Sequence, residues 1–307
     1  MGGAGFMRSV FVDANVTLAA AAERLSAMLG VGLQINRQPD VRPEELPGVL
    51  GHAAIALIDH TRFPLEIARA CHSLRHVVFL GTGARSYMDP EALTELGITV
   101  HIISGYANTA VAEMTVALMW AASKSLVRMD REMRAGNWLR TDGIQLPGKT
   151  LGLIGFGGIA REVARLTPFM RVLAWNRTRK EHEGVEFVDL ETLLCSSDVV
   201  SLHLLLNEET RGFLSAERLA LMRPGAILVN TARGALVDEA AMIAALRSGA
   251  LGHAALDVFV QEPLPGDHPL TELNNVTLSA HSAFRTPEAS DNLIGSALGI
   301  VQRISSP

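Results

Sequence analysis

Cysteine and runs of basic residues are scarce in this chain, and each scarcity excludes a class of protein. The only cysteines among 307 residues are Cys71 and Cys195, which gives no disulfide framework and no cysteine spacing typical of a zinc site. Lysine and arginine total 27 against 32 acidic residues, and they form no block that could follow a phosphate backbone. We therefore expect a cytoplasmic protein with no metal and no nucleic-acid partner.

Long apolar runs are also missing. The most apolar helical stretch, residues 110–122, contains Glu113 and falls short of the roughly 20 residues that span a bilayer. The N-terminal residues lack the basic region and apolar core of a secretory signal. We expect no membrane partner, and we interpret the stretch as a buried core or interface helix.

Short apolar segments alternate with helical patterns through the middle of the chain. The segments are too continuous for half-exposed strands and suit a parallel sheet covered on both faces. The predicted strands are 151–154, 172–175, 199–204, 226–230, 254–258 and 276–279, and the predicted helices are 159–166, 214–222 and 239–247. This series predicts a doubly wound α/β domain over residues 105–282.

The first hundred residues repeat the pattern on a smaller scale. Predicted strands at 54–58, 77–80 and 100–103 alternate with predicted helices at 18–29, 64–71 and 90–96. One long helix over 109–135 is expected to connect this part to the larger domain. A helix over 287–304 should pack back on the first part, so the smaller domain would comprise residues 1–104 and 283–307.

A glycine-rich turn follows the first strand of the larger domain. Gly155, Gly157 and Ala160 form Gly-x-Gly-x-x-Ala between a predicted strand and a predicted helix. Such a turn lets the backbone approach a pyrophosphate, and the helix N-terminus offers unpaired N–H groups to the anion. The motif therefore predicts dinucleotide binding, with Gly158 and Ile159 also in contact with the cofactor. An ordinary glycine turn is the alternative interpretation.

The segment after the next strand bears on the choice of cofactor. An acid about 20 residues after the first glycine would bind the ribose 2′-hydroxyl of NAD. This sequence instead has Asn176, Arg177, Thr178 and Arg179. Two guanidinium groups and a hydroxyl suit a 2′-phosphate, which predicts that NADP is preferred while NAD remains possible. A solvated basic loop is the alternative.

Three polar segments follow the last strands of the series. They contain Arg233, Glu262 and His281, and each lies at or just after a predicted strand end. Taken singly, such residues are usually surface charges or structural groups. Because ligands bind at the carboxyl ends of parallel strands, their joint placement predicts a catalytic site.

The same segments carry a resemblance to a known family. GFGGIA at 155–160, NTARGALVDE at 230–239, LDVFVQEPL at 256–264 and AHSA at 280–283 resemble the D-isomer-specific 2-hydroxyacid dehydrogenases. The resemblance implies a Rossmann dinucleotide-binding domain beside a flavodoxin-like substrate domain. It also implies hydride transfer between NAD(P)H and a small 2-oxo or 2-hydroxy acid, of the glyoxylate or hydroxypyruvate type.

The resemblance assigns roles to individual residues. Arg233, Glu262 and His281 match the family's catalytic arginine, glutamate and histidine. In these roles Arg233 would hold the substrate, and the histidine would exchange a proton with it. Thr231, Ala232 and Asp257 should line the nicotinamide pocket, and the loop containing Thr82 and Gly83 should bind the substrate carboxylate. A homodimer is also implied.

Two other functions remain open at this point. A relative acting on another small anion, such as formate or phosphite, would share the same motifs. A binding protein that senses dinucleotides would share the fold without turnover. The three matching catalytic residues favour an enzyme.

Overall fold

The computed structural model describes residues 7–178 and 180–306, which form two compact units. The first unit lies within Met1–Ala107 and Arg285–Pro307, and the second is Asn108–Phe284. The chain therefore passes between units three and two residues later than the predicted boundaries at 104/105 and 282/283.

The first unit contains a five-stranded parallel sheet in the order β2-β1-β3-β4-β5. This is the order of flavodoxin-type sheets, which confirms the predicted fold class. The two strands that the sequence did not predict, β1 and β2, have only three residues each, too few to show a period. The strands are β1 (Ser9–Phe11), β2 (Leu33–Ile35), β3 (Ile55–Ile58), β4 (His76–Phe79) and β5 (Thr99–Ile102).

Helices cover this sheet. The helix over Val16–Leu29 is capped by the Asn15 side chain and ends at Gly30 in the left-handed conformation. The C-terminal helix packs against it, as expected. The helices, numbered in chain order, are α1 (Val16–Leu29), α2 (Leu46–Leu50), α3 (Leu65–Ala70), α4 (Pro90–Glu95) and α12 (Pro287–Ser305).

The second unit contains a seven-stranded parallel sheet in the order β12-β11-β10-β9-β6-β7-β8. The six strands from β8 to β11 have the 3-2-1-4-5-6 order of the Rossmann fold, and β12 extends the sheet. The predicted dinucleotide-binding fold is thus confirmed. The strands are β6 (Thr150–Ile154), β7 (Arg171–Trp175), β8 (Val185–Phe187), β9 (Val199–Leu202), β10 (Ala226–Asn230), β11 (Leu251–Leu256) and β12 (Val276–Leu278).

The predicted long helix over 109–135 is wrong. The chain forms α5, which ends at Ser123, and α6, which begins at Leu126 after a bend of 66°. Ser125 has φ +50°, and the Ser123 carbonyl accepts from the Ile144 N–H, so it does not continue the helical ladder. The helices of this unit are α5 (Asn108–Ser123), α6 (Leu126–Arg134), α7 (Gly158–Leu166), α8 (Leu190–Ser196), α9 (Ala216–Ala220), α10 (Glu239–Ser248) and α11 (Pro269–Glu272).

Helix α5 lies in the interior of this unit. It packs on α7 and against β10 and β11, with Ala112, Leu118 and Met119 buried. No single helix in the described part of the chain is long and apolar enough to cross a membrane; α5 and α6 meet that test only as a bent pair. The position of α5 matches the expected core helix.

A buried carboxylate connects two strand ends of the first unit. Asp13, which is fully buried, accepts hydrogen bonds from the N–H groups of Asp59, His60 and Thr61 and from the Thr61 hydroxyl. The hydrogen bond to Asp59, with the nearby charge of Asp13, raises the pKa of His60 to about 9 against the opposing effect of burial. The charged imidazole therefore stabilises this unit below the unfolded pKa of 6.5, and the contribution is lost as the pH rises through about 9.

Two histidines of the second unit behave in the opposite way. Burial lowers the pKa of His203, just after β9, and of His253, in β11, to about 4. The Nε2 atom of His253 lies 2.9 Å from the Thr277 hydroxyl on β12, so the neutral ring is held between strands. Between pH 6.5 and about 4 the unfolded chain binds protons at these residues that the folded chain does not.

We expect the free energy of unfolding to fall as the pH is lowered through this window. His253→Gln keeps a polar group beside Thr277 but does not titrate. Between about pH 7 and about pH 5, the variant should therefore lose about 2 kcal/mol less stability than the wild type. Urea denaturation at the two pH values measures the difference. An equal loss of unfolding free energy in the two proteins would contradict the lowered pKa of His253.

Candidate active site

The glycine turn at the end of β6 fits a dinucleotide phosphate. Gly155 has φ +89°, and a Cβ there would lie 2.7 Å from the His203 carbonyl oxygen. Gly157 faces open space and is the N-cap residue just before α7, where no side chain caps the helix. The first N–H groups of this helix therefore have no partner within it and are available to an anion.

The next residues set how closely α7 packs. A Cβ on Gly158 would overlap the side-chain amide of Asn108, the first residue of α5. Ala160 is fully buried against the sheet, and Ile159 is half-buried. Close packing around the turn accounts for Gly158, while Gly157 is left as the open approach for a ligand.

The loop after β7 binds the glycine turn at the backbone N–H and the backbone carbonyl of one residue, Phe156. The Asn176 Oδ1 accepts from the Phe156 N–H at 3.1 Å, and the Lys180 Nζ donates to the Phe156 carbonyl at 2.8 Å. Asn176 also donates to the Thr178 carbonyl at 2.8 Å. Asn176 thus takes a positioning role, and Lys180, which the sequence reasoning missed, places an ammonium group beside the turn.

The structure describes two of the three other residues that were predicted to bind the cofactor in this loop. Arg177 is highly exposed and forms an ion pair with Glu209, with 3.1 Å between Nη1 and Oε2. Thr178 is exposed. Arg179 lies outside the described residues.

A histidine and a glutamate meet where the chain leaves β11 and β12, at the same carboxyl edge of the sheet as the glycine turn. The Nδ1 of His281, after β12, lies 2.6 Å from the Glu262 Oε2, after β11. The other carboxylate oxygen of Glu262 accepts from the Phe259 N–H at 2.9 Å. Both side chains are about one-third exposed, so the imidazole is oriented by the acid and still reaches solvent.

Asp257 holds the loop that carries this histidine. Its fully buried carboxylate accepts from the Ser279 hydroxyl and from the N–H groups of Ser282 and Ala283. Its carbonyl accepts the His281 N–H at 2.7 Å. These contacts fix His281 at φ +47°, a conformation uncommon for a residue with a side chain.

Arg233 lies in the loop after β10, the strand next to β11. Its guanidinium is exposed and, among the described residues, donates only to the Ala232 carbonyl at 2.7 Å, which leaves most of its donors available. The Asn230 side chain braces the loop by donating to the Arg233 carbonyl and accepting from the Ala232 N–H. The arginine is therefore presented by a rigid turn.

Thr231 is oriented towards the interior of this unit. Its hydroxyl lies 2.8 Å from that of Thr115 on α5, and the residue is buried. Ala232 is half-buried. The predicted contact of Thr231, Ala232 and Asp257 with the nicotinamide pocket stays a prediction. The Thr231 hydroxyl, the Ala232 N–H and the Asp257 carboxylate are each bound to other groups of the protein.

The predicted substrate loop lies in the first unit. Thr82 and Gly83 follow β4, and within the described part of the chain their N–H groups donate to no other group. Arg85 just beyond them is paired with Glu91, and Tyr87 packs on Phe79. Free backbone donors at a strand end suit an anion, which supports the predicted carboxylate contact.

The second unit therefore places three chemical groups on adjacent strand ends, in the order β10, β11 and β12. They are a fork of free guanidinium donors, a carboxylate and an imidazole bound to that carboxylate. Together they can bind an anionic substrate and exchange one proton with it. No cluster of metal-binding side chains occurs among the described residues.

The Arg233 turn and the Glu262 loop pack directly on each other at Gly234. A Cβ on Gly234 would overlap the carbonyl group of Phe259, whose N–H donates to Glu262. Gly234→Ala should therefore lower the free energy of unfolding by about 2 kcal/mol, because backbone must move to admit the methyl group. Gly266→Ala, at an open position of the same unit, is the control. Urea denaturation that finds equal stability for both variants would contradict the packing.

Comparison with known proteins identifies the family. Residues 116–283, more than half of the chain, match the NAD binding domain of the D-isomer specific 2-hydroxyacid dehydrogenases. The chain is 38% identical to a glyoxylate reductase of Aeropyrum pernix over 95% of this chain and 93% of that protein. It is also 38% identical to a hydroxypyruvate reductase of Thermotoga maritima, over 75% of this chain and 77% of that protein.

A solved structure extends the likeness to the whole fold. An acyclic imino acid reductase in complex with NADPH and D-Arg matches with a TM-score of 0.85 and 27% identity over 97% of each chain. The chain therefore belongs to the D-isomer specific 2-hydroxyacid dehydrogenase family, and it is an oxidoreductase that uses a nicotinamide dinucleotide cofactor.

Proposed function

We propose that this enzyme reduces a small 2-oxo acid, glyoxylate or hydroxypyruvate, to the corresponding 2-hydroxy acid, with NADPH preferred over NADH. The observation that carries the proposal is the 2.6 Å contact between His281 and Glu262, one strand away from Arg233. Two relatives of this chain are named for reduction of these two acids.

Arg233 binds the substrate in this proposal. A 2-oxo acid carries a carboxylate beside its carbonyl, and a guanidinium fork can donate to oxygens of both groups. Donation to the carbonyl oxygen polarises it and stabilises the negative charge that develops there on reduction. Because Asn230 braces the loop backbone, the fork is already positioned before substrate arrives.

His281 supplies the proton. The alkoxide formed on reduction takes a proton from the imidazolium, and the reverse reaction returns it. Since Nδ1 is bound to the Glu262 carboxylate, Nε2 is the atom that exchanges the proton. The carboxylate holds the ring in this orientation.

The glycine turn and the β7 loop bind the cofactor, which supplies the hydride. The uncapped start of α7 binds the pyrophosphate. Arg177, Thr178 and Lys180 would hold the 2′-phosphate, with the Lys180 ammonium already beside the turn; a role for Arg179 stays a prediction from the sequence. The fold match to a reductase in complex with NADPH supports this preference, as does the absence of an acid at position 176.

The experiment follows absorbance at 340 nm with NADPH and with NADH against a panel of 2-oxo acids. The oxidation of formate and of phosphite is followed in the same way with NADP+ and with NAD+. We expect turnover of glyoxylate or hydroxypyruvate and a higher kcat/KM with NADPH. Turnover confined to formate or phosphite would overturn the substrate proposal, and a higher kcat/KM with NADH would overturn the cofactor preference.

Loss of the proton donor tests the role of His281. His281→Gln should lower kcat at least 100-fold, the order expected of a general acid, with little change in cofactor affinity. His72→Gln, an exposed histidine of the first unit, is the control for the substitution itself. A kcat near the wild-type value in His281→Gln would remove the assignment.

We also propose that the enzyme is a homodimer through α6 and the segment that follows it. This surface exposes five large apolar side chains within one short stretch of the chain, whereas an ordinary surface exposes such side chains singly. They are Leu126, Val127, Met133, Trp138 and Ile144, exposed by 39 to 79%. A second copy would bury them in a two-fold interface.

Sedimentation equilibrium tests the interface. The wild type should sediment at twice 32.9 kDa, and Leu126→Asp combined with Trp138→Asp should shift the protein towards the monomer. Val16→Asp, at an equally exposed apolar position of the first unit, should leave the mass unchanged. A wild-type monomer would rule out the dimer.

A further inference from the structure

An ion pair connects the two loops that flank the glycine turn. Strand β6 carries the turn, and its neighbours in the sheet are β7 and β9. Arg177 follows β7, Glu209 lies in the loop after β9, and their charged groups are 3.1 Å apart. The pair therefore joins the two sides of the dinucleotide site, at the end where the 2′-phosphate is expected.

The glutamate is presented by an ordered turn. Thr210 donates its N–H to the Asn207 Oδ1 at 2.9 Å, and the Asn207 N–H donates to the Thr210 hydroxyl at 2.8 Å. The same hydroxyl donates to the Leu205 carbonyl at 2.6 Å. Three hydrogen bonds thus hold residues 207–210 in one arrangement, which keeps Glu209 facing Arg177.

A carboxylate and a phosphate compete for the same guanidinium. Arg177 can make its bidentate contact with only one of the two anions, and a 2′-phosphate bound there would stand close to the carboxylate. At such a distance the repulsion between two exposed charges is about 1 kcal/mol, or about fivefold in affinity. A cofactor with a 2′-hydroxyl brings no charge and meets no such opposition.

We propose that Glu209 is a specificity-determining residue that limits the preference for the phosphorylated cofactor by neutralising Arg177. Binding of the 2′-phosphate displaces the carboxylate from the guanidinium. The loss of the existing ion pair therefore offsets part of the binding free energy of the phosphate. The inference rests on the proposed function only in placing Arg177 at the 2′-phosphate.

Calorimetric titration of the full chain with NADP+ and with NAD+ measures this effect without turnover. Glu209→Gln should bind NADP+ about threefold to tenfold more tightly than the wild type, while NAD+ affinity changes less than about twofold. Glu208→Gln is the matched control, because it removes the same charge from the adjacent residue, which forms no ion pair within the described residues. Glu209→Asp should retain most of the wild-type discrimination.

Two further measurements separate competition from a structural effect of the substitution. In an Arg177→Ala background, Glu209→Gln should lose most of its gain in NADP+ affinity, since no guanidinium remains to be freed. Raising the salt concentration should shrink the gain, because an exposed charge effect is screened.

Specific outcomes would overturn the inference. Unchanged NADP+ affinity in Glu209→Gln, an equal gain for both cofactors, an equal gain in Glu208→Gln, or an undiminished gain without Arg177 each contradict it. The wild-type affinities test the proposed preference separately. A wild type that binds NAD+ more tightly would overturn that preference, while a gain in NADP+ affinity in Glu209→Gln would still support the competition.

Discussion

The hydrogen bonds to the buried carboxylate of Asp257 are the interaction on which the conformation of the His281 loop depends. Burial of an ionised carboxylate costs several kcal/mol unless hydrogen bonds replace its water shell. Here the three donors come from Ser279, Ser282 and Ala283, so satisfying the charge also fixes the loop after β12. His281 is thereby held in a left-handed conformation that costs about 1–3 kcal/mol, and its ring meets Glu262.

Hydrogen bonds likewise fix two loops to each other around the glycine turn after β6. The Phe156 N–H donates to Asn176 and the Phe156 carbonyl accepts from Lys180, so the β7 loop and the glycine turn form one rigid element. Asn176 occupies the position where related folds place an acid, and its amide serves structure where an acid would bind ribose. In the proposed function, the choice between cofactors depends on charges further along the loops, at Arg177, Lys180 and Glu209.

Local signals in the sequence predicted the parts of the fold that are long or strictly patterned. The buried strands of the second unit and the glycine turn were predicted because each is specified by adjacent residues. Strands β1, β2 and β8, of three residues each, were not predicted; β12 is as short, but it lies within the predicted strand 276–279. The break between α5 and α6 was missed because its cause is the Ile144 N–H, which binds the Ser123 carbonyl from 21 positions further along the chain.

The sequence by itself determined the fold class and the family, and it predicted Arg233, Glu262 and His281 as site residues, because these follow from local patterns and short motifs. Tertiary structure alone decided that Lys180 reaches the Phe156 carbonyl and that Glu209 faces Arg177. Those partners lie 24 and 32 residues apart. Such contacts have no local pattern, since they arise only when parallel strands place the loops at their carboxyl ends side by side.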